Sequence, residues 1–288
     1  MPDKINLSVV IPVYNEEENI AELSARLSKV CRELKLKYEL LFVDDGSSDG
    51  TVKAVQKAKQ SDRSIYCLSL AKNSGKAQAY TAGFAEAKGD IVITMDGDLQ
   101  DAPEEIPNFL KKIGEGYDLV TGWKYTGKGK RSLSSKLFNW VVRKLTKFPV
   151  HDSNCPFKAY RNEVVKNLKV YGDLYRFIPA MAYWKGYRVA EIKVENYPRI
   201  HGVTKYGASR ALRGFFDLMT VTFLTQYIKR PLHFFGLAGL VCGGLGFMID
   251  LILTVIGLIN GRIGHQALLL LGLVMIIIGV QFIFTGLL

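Results

Sequence analysis

Two short acidic runs carry the densest chemistry in this chain: Asp44-Asp45-Gly46-Ser47-Ser48-Asp49-Gly50-Thr51 and Asp96-Gly97-Asp98-Leu99-Gln100-Asp101. Each follows an apolar stretch, 40–43 and 91–95, so each sets carboxylates where a buried strand ends and its loop begins. Open α/β sheets bind their ligands at that place. Asp96 and Asp98, one glycine apart in a loop, can turn oxygens toward a single hard cation. Mg²⁺ and Mn²⁺ take oxygen ligands and complete their shells with substrate phosphates. The pattern therefore predicts a divalent cation and a nucleotide diphosphate as the natural ligand.

The elements that must position these acids can be read from hydrophobic periodicity. Strands are expected over 7–13, 39–43, 65–70, 90–95 and 118–121, alternating with helices over 17–36, 51–60, 76–88 and 103–114. That alternation predicts an α/β fold, a mostly parallel Rossmann-like sheet with helices on both faces. Asn15 and Asp49 stand where they could cap the first two helices, and Pro103 with Glu104 and Glu105 suits a first turn. From Gly122 to Arg131 the chain is basic and glycine-rich, which reads as a loop able to close over phosphates. Further helices are expected over 133–147, 161–168 and 176–185, and a strand over 188–195. Over 206–228, Ala208, Leu212, Phe215, Phe216, Met219 and Phe223 share one helical face, as in a helix lying in a membrane interface.

The C-terminal region departs from this soluble pattern. Residues 232–259 contain one charge, Asp250, and 267–288 contain none. Each stretch exceeds the about 20 residues that cross a bilayer as a helix. The expected organisation is a catalytic domain over 1–200, with nucleotide binding assigned to 1–122 and acceptor binding to 123–200. A juxtamembrane region over 201–231 and two membrane helices over 232–288 follow. Charge divides along the same line: 1–120 holds 15 lysines and arginines against 20 acids, whereas 121–231 holds 22 against 6, a net +16. A basic region directly before a span attracts anionic headgroups and marks the cytoplasmic side. With that anchor and no nucleic-acid-binding motif, nucleic acid is excluded as a partner. The four cysteines lack C-x-x-C spacing and read as reduced thiols, and no signal peptide is expected before the first strand.

Four motifs in order, Ser8-Val9-Val10-Ile11-Pro12-Val13-Tyr14-Asn15-Glu16, the Asp44–Thr51 run, Asn73-Ser74-Gly75-Lys76 and the Asp96–Asp101 run, resemble the inverting glycosyltransferases of family 2 with the GT-A fold. Asp152-Ser153-Asn154-Cys155-Pro156-Phe157-Lys158, Arg176-Phe177-Ile178-Pro179 and His201-Gly202-Val203-Thr204-Lys205-Tyr206-Gly207 are similar to its polyisoprenyl-phosphate branch, which contains dolichyl-phosphate mannose synthases and bactoprenol glucosyltransferases. Pro156 stands where that branch usually has glycine, and Val203-Thr204 where it has Lys-Ser.

The resemblance implies transfer of one sugar from a nucleotide sugar, UDP-glucose by the two-span architecture, to undecaprenyl phosphate. It places the enzyme in a bacterial inner membrane as a multi-pass protein with a cytoplasmic catalytic domain, and is compatible with a homo-oligomer. GDP-mannose is the rival donor, and an inactive adaptor with the same fold the rival from another class. By the same resemblance Pro12, Tyr14, Glu16, Asp44, Asp45, Lys76 and Asp96 bind the nucleotide sugar, and Asp96, Asp98 and Gln100 hold Mg²⁺ or Mn²⁺. Asp98, Asp152 and Arg131 are expected to act in catalysis, Asp152 by orienting the acceptor, while Arg176, Arg199, His201 and Lys205 surround the acceptor phosphate.

Overall fold

A computed structural model describes residues 4–124, 151–152, 155–168, 172–195, 197, 220, 231–260 and 266–288. The chain divides into two units, 1–221 and 222–288. In the first, β1 (Leu7–Val13), β2 (Tyr38–Asp44), β3 (Ile65–Ser69) and β4 (Ile91–Thr94) alternate with α1 (Glu17–Glu33), α2 (Thr51–Ser61) and α3 (Lys76–Glu86). After β4 come a 3₁₀ turn (Pro103–Glu105), α4 (Ile106–Gly114) and β5 (Leu119–Lys124), and then β6 (Lys158–Arg161) and α5 (Asn162–Asn167). A second 3₁₀ segment (Gly172–Phe177), α6 (Ile178–Trp184) and β7 (Val189–Val194) complete the unit.

The seven strands form one sheet in the order β3-β2-β1-β4-β6-β5-β7. All are parallel except β6, which runs antiparallel to both β4 and β5. Alternate β1 residues serve opposite faces. Val9, Ile11 and Val13 pack with Ile20, Leu23 and Leu27 of α1 and Phe109 of α4, while Val10 packs with Tyr80 and Phe84 of α3 and Ile178 of α6. Helices thus cover both faces, as the alternating pattern requires.

Periodicity does not predict the strand β6 and instead starts a helix at Arg161. Four residues with a basic group at each end, Lys158-Ala159-Tyr160-Arg161, carry no strand signal of their own. Their conformation is imposed by the ladders of β4 and β5 on either side. Arg161 ends that strand, so α5 starts at Asn162. The basic segment expected to be a loop from Gly122 is instead strand as far as Lys124: Gly122, Trp123 and Lys124 pair in register with Ile192, Lys193 and Val194 of β7. Arg176 lies in the 3₁₀ turn before α6, not in the helix. The helix expected over 133–147 lies outside the described residues, as does that over 206–228 apart from Thr220, and so do Arg131, Arg199, His201 and Lys205.

The second unit contains α7 (Pro231–Asn260) and α8 (Gln266–Leu287), both long and apolar enough to cross a membrane. Leu237, Leu240, Phe247 and Leu258 of α7 and Leu270 and Phe284 of α8 are exposed, which suits lipid rather than water. The two helices meet through glycine. A Cβ on Gly246 would stand 2.5 Å from the carbonyl oxygen of Gly272, and one on Gly272 would collide with the Asp250 carboxylate. Without a hydrophobic force between helices in lipid, such backbone approach is what holds a pair together.

Candidate functional site

The acidic runs stand at the carboxyl ends of β2 and β4. Asp44 and Asp45 are buried, and both are engaged by backbone. Asp44 accepts a hydrogen bond from Ser47 N at 3.1 Å. Asp45 accepts from Ser74 N at 2.7 Å and Gly75 N at 2.9 Å, fixing the loop that leads into α3 and Lys76. Gly46 makes this crossing possible: its φ is +73° and a Cβ would stand 2.6 Å from Asn73 N, so side chains are barred by both conformation and space.

Around the end of β1, Pro12 and Tyr14 are half-buried. Glu16 accepts from the Asn19 amide at 2.6 Å, and its own backbone N–H donates to Thr51 Oγ1 at 2.9 Å. Asn15 does not cap α1. Its φ is +53° and its side-chain oxygen accepts from Ser48 N at 2.8 Å, which binds the β1 and β2 loops together. Asp49 stands one residue before the N-cap Gly50, and its carboxylate accepts from the N–H of the first helical residue, Thr51, at 3.0 Å.

The loop after β4 brings the charged groups together. Lys76 Nζ donates to the Asp96 carboxylate. Burial pushes the Asp96 carboxyl up, but Lys76, Lys124 and Lys158 outweigh burial and hold it below the ordinary range. Asp98 is buried and accepts from Gln100 N at 3.3 Å. Between them Leu99 has φ +60°, a left-handed conformation that a non-glycine residue holds only when its surroundings impose it. Its side chain is buried in the core beneath, and that packing supplies the constraint. Gln100 is tied to the chain beyond β7: Tyr197 N donates to its carbonyl at 3.0 Å, and its amide donates to Tyr197 O at 3.4 Å.

Five residues to which the sequence reading gives no role, Asp101, Lys124, Lys158, Tyr175 and Glu191, also take part. Asp101 is fully buried 3.1 Å from Lys124 Nζ at the end of β5. Burial raises its carboxyl, while burial of Lys124 is outweighed by Asp101, so that ammonium is raised. Lys158 on β6 is 2% exposed and donates to the Cys155 carbonyl. Burial lowers it to about 8 against attraction from Asp152 and Asp96. Tyr175 joins two expected groups, with Lys76 Nζ 5.7 Å from its ring centroid and the Arg176 guanidinium 5.4 Å from it. Glu191 on β7 accepts from His151 N at 3.0 Å and Asp152 N at 2.9 Å. Asp101 and Lys158 lie within quoted motifs, but a linear reading does not show whom they meet, and a lone tyrosine or glutamate such as Tyr175 or Glu191 gives no signal at all.

Lys76 and Arg176, expected on donor and acceptor respectively, both lie against the Tyr175 ring, and Asp152 is close enough to Lys158 to act on its charge. Among the described residues no three acidic, histidine or cysteine side chains converge as a metal cage. Asp96 is paired with the Lys76 ammonium, a positive charge at the place where a cation is expected.

Residues 8–185 match the model of Glycosyl transferase family 2. The chain belongs to that family. It is 36% identical over 295 residues to the dodecaprenyl-phosphate galacturonate synthase of Rhizobium johnstonii, covering 99% of this chain and 86% of that one. It is also 36% identical over 292 residues to the undecaprenyl-phosphate 4-deoxy-4-formamido-L-arabinose transferase of Proteus mirabilis, covering 99% and 88%. Among solved structures it shares its fold with glucosyl-3-phosphoglycerate synthase of Mycobacterium tuberculosis, crystallised with Mn²⁺, UDP-glucose and phosphoglyceric acid. There the TM-score is 0.62 at 19% identity, over 76% of this chain and 80% of that one. This family 2 glycosyltransferase thus has the expected GT-A architecture, followed by two helices suited to a membrane.

Proposed function

We propose that this family 2 protein is an inverting, membrane-anchored transferase that moves one sugar from a nucleotide sugar to a polyisoprenyl phosphate, undecaprenyl phosphate in a bacterial inner membrane. The observation that carries the reading is the meeting of Asp96, Lys76, Tyr175 and Arg176 at one end of the sheet. Asp96, read as a ligand of a donor-bound cation, and Lys76, read as a donor-phosphate contact, would there lie beside Arg176, read as an acceptor-phosphate contact. The names of the relatives, both polyprenyl-phosphate sugar enzymes matched over nearly the whole chain, support the acceptor class.

Asp96 and Asp98, with Gln100 beside them, would hold Mg²⁺ or Mn²⁺, which when bound neutralises charge on the diphosphate. The transfer itself is a displacement at the anomeric carbon. A phosphate oxygen of the acceptor forms the new bond as the bond to the nucleoside diphosphate breaks. Because the second pKa of a phosphate monoester is about 6, the acceptor is largely dianionic at neutral pH and needs no strong base. Asp152 is assigned to orienting that acceptor, and Lys76 and Arg176 to binding phosphate oxygens. Pro12, Tyr14, Glu16, Asp44 and Asp45 frame the base and ribose.

UDP-glucose remains the proposed donor, and a donor panel decides it. Purified enzyme is given undecaprenyl phosphate, Mn²⁺ and, in turn, UDP-glucose, a UDP-uronate, a UDP-aminopentose and GDP-mannose, with lipid-linked product measured. Transfer from a UDP sugar is expected. Product from GDP-mannose alone would replace the donor assignment, and no product from any donor would favour an inactive adaptor.

A further inference from the structure

The segment that carries Asp152 is held by one carboxylate. Glu191, on the sheet-edge strand β7, accepts hydrogen bonds from His151 N at 3.0 Å and from Asp152 N at 2.9 Å. The His151 ring lies 2.8 Å from the same carboxylate through Nδ1. That ring also stacks on Trp123 of β5, with centroids 4.4 Å apart and planes inclined by 15°. Lys193, two residues along β7 from Glu191, places its Nζ 5.3 Å from the Trp123 centroid. Two paired strands therefore build a clamp from Glu191, Trp123 and Lys193. It grips His151 and Asp152, neither of which lies in a helix or strand.

We infer that Glu191 is a positioning residue for the transfer: it fixes the backbone of His151 and Asp152 so that Asp152 is presented to the acceptor. Both oxygens of a nearly buried carboxylate are spent on two consecutive backbone N–H groups, an arrangement that sets the direction of the chain rather than only its position. Asp152 in turn acts on the charge of Lys158, so its placement is coupled to the centre of the site. A glutamine at 191 would keep the shape but aim an amide N–H₂ at N–H donors, with one acceptor left for three of them. Misplacement of a reacting group by about 1 Å costs on the order of a hundredfold in rate.

The inference rests on the proposed role of Asp152, and the test separates the two. Glu191→Gln, Asp152→Asn and the double variant are made in the full-length enzyme, with kcat and both KM values measured and melting temperature checked alongside. Glu191→Gln is expected to lower kcat roughly ten- to a hundredfold with the nucleotide-sugar KM within about twofold of wild type. The double variant is expected to be no slower than Asp152→Asn by more than about twofold, because the second loss acts through the first. Should Glu191→Gln fail to fold, His151→Phe keeps the stack on Trp123 and removes the imidazole contact. Its smaller kcat loss should likewise vanish in the Asp152→Asn background. Losses that multiply, or wild-type kcat in Glu191→Gln, overturn the inference alone. Wild-type kcat in Asp152→Asn overturns the assignment of Asp152 and the inference with it.

Discussion

Asp98 and Lys158 show how burial gives single residues different roles in one site. Asp98 is buried on a loop whose neighbour Leu99 is forced into a left-handed backbone, so its position is tightly constrained. Asp98→Ala is expected to abolish transfer while leaving the melting temperature near wild type, since on the proposed reading one charged ligand is lost and Asp96 and Gln100 are left with a shell completed mostly by water and phosphate. Activity near the untreated rate in excess EDTA would contradict the metal reading. Lys158 is a matter of stability. Its ammonium is lowered to about 8 from the ordinary 10.5 because burial disfavours the charge. Below pH 8 both folded and unfolded chains bind this proton, and the folded state bears a cost of roughly 3 kcal/mol. Between pH 8 and 10.5 only the unfolded chain keeps it, so stability from this group rises with pH. The melting-temperature difference between wild type and Lys158→Met should therefore move in favour of wild type from about pH 8 to about pH 10. A difference independent of pH would show that Lys158 titrates normally.

At the scale of elements, the α7–α8 pair depends on which glycines face the partner. Gly246 lies against Gly272, with its added Cβ 2.5 Å from a carbonyl oxygen and 2.9 Å from Met275 Cβ, while Gly244 meets nothing within 4 Å. Alanine favours helix over glycine by about 1 kcal/mol, so Gly244→Ala should be neutral or slightly stabilising. Gly246→Ala must push the helices apart, an overpacking cost of about 1 to 3 kcal/mol. Thermal unfolding of both variants in detergent should rank them in that order. Equal melting temperatures would mean that the glycine seam is not what joins the helices.

For the whole molecule, charge and hydropathy together predict an orientation that labelling can test. The net +16 of residues 121–231 directly precedes the first apolar helix, and crossing by both helices would return the chain to its starting side. In a variant without native cysteines, Gly261→Cys should react with a membrane-impermeant maleimide added outside spheroplasts. Asp3→Cys should react only after lysis. The reverse pattern would put the catalytic domain on the far side, away from cytoplasmic nucleotide sugars.

The class of fold, the two apolar spans and the acidic loops are local properties, and they were legible in the order of residues. Period-two apolar runs specify strands, unbroken ones over more than about 20 residues specify spans, and Asp-Gly-Asp after a strand specifies a carboxylate-bearing loop. The short strand β6 was not legible, because its strand state comes from β4 and β5 lying on either side rather than from its own residues. Nor was the company kept by Lys76, Tyr175 and Arg176, or by Glu191 and Asp152. Each of these groupings joins segments far apart in the chain, and only sheet order brings them within hydrogen-bonding or stacking distance. Local periodicity reports how a segment wants to fold. Which charges end up buried beside one another, and so which carboxyl is held low and which lysine is driven toward neutrality, is decided by packing distant segments into a medium where water no longer screens them.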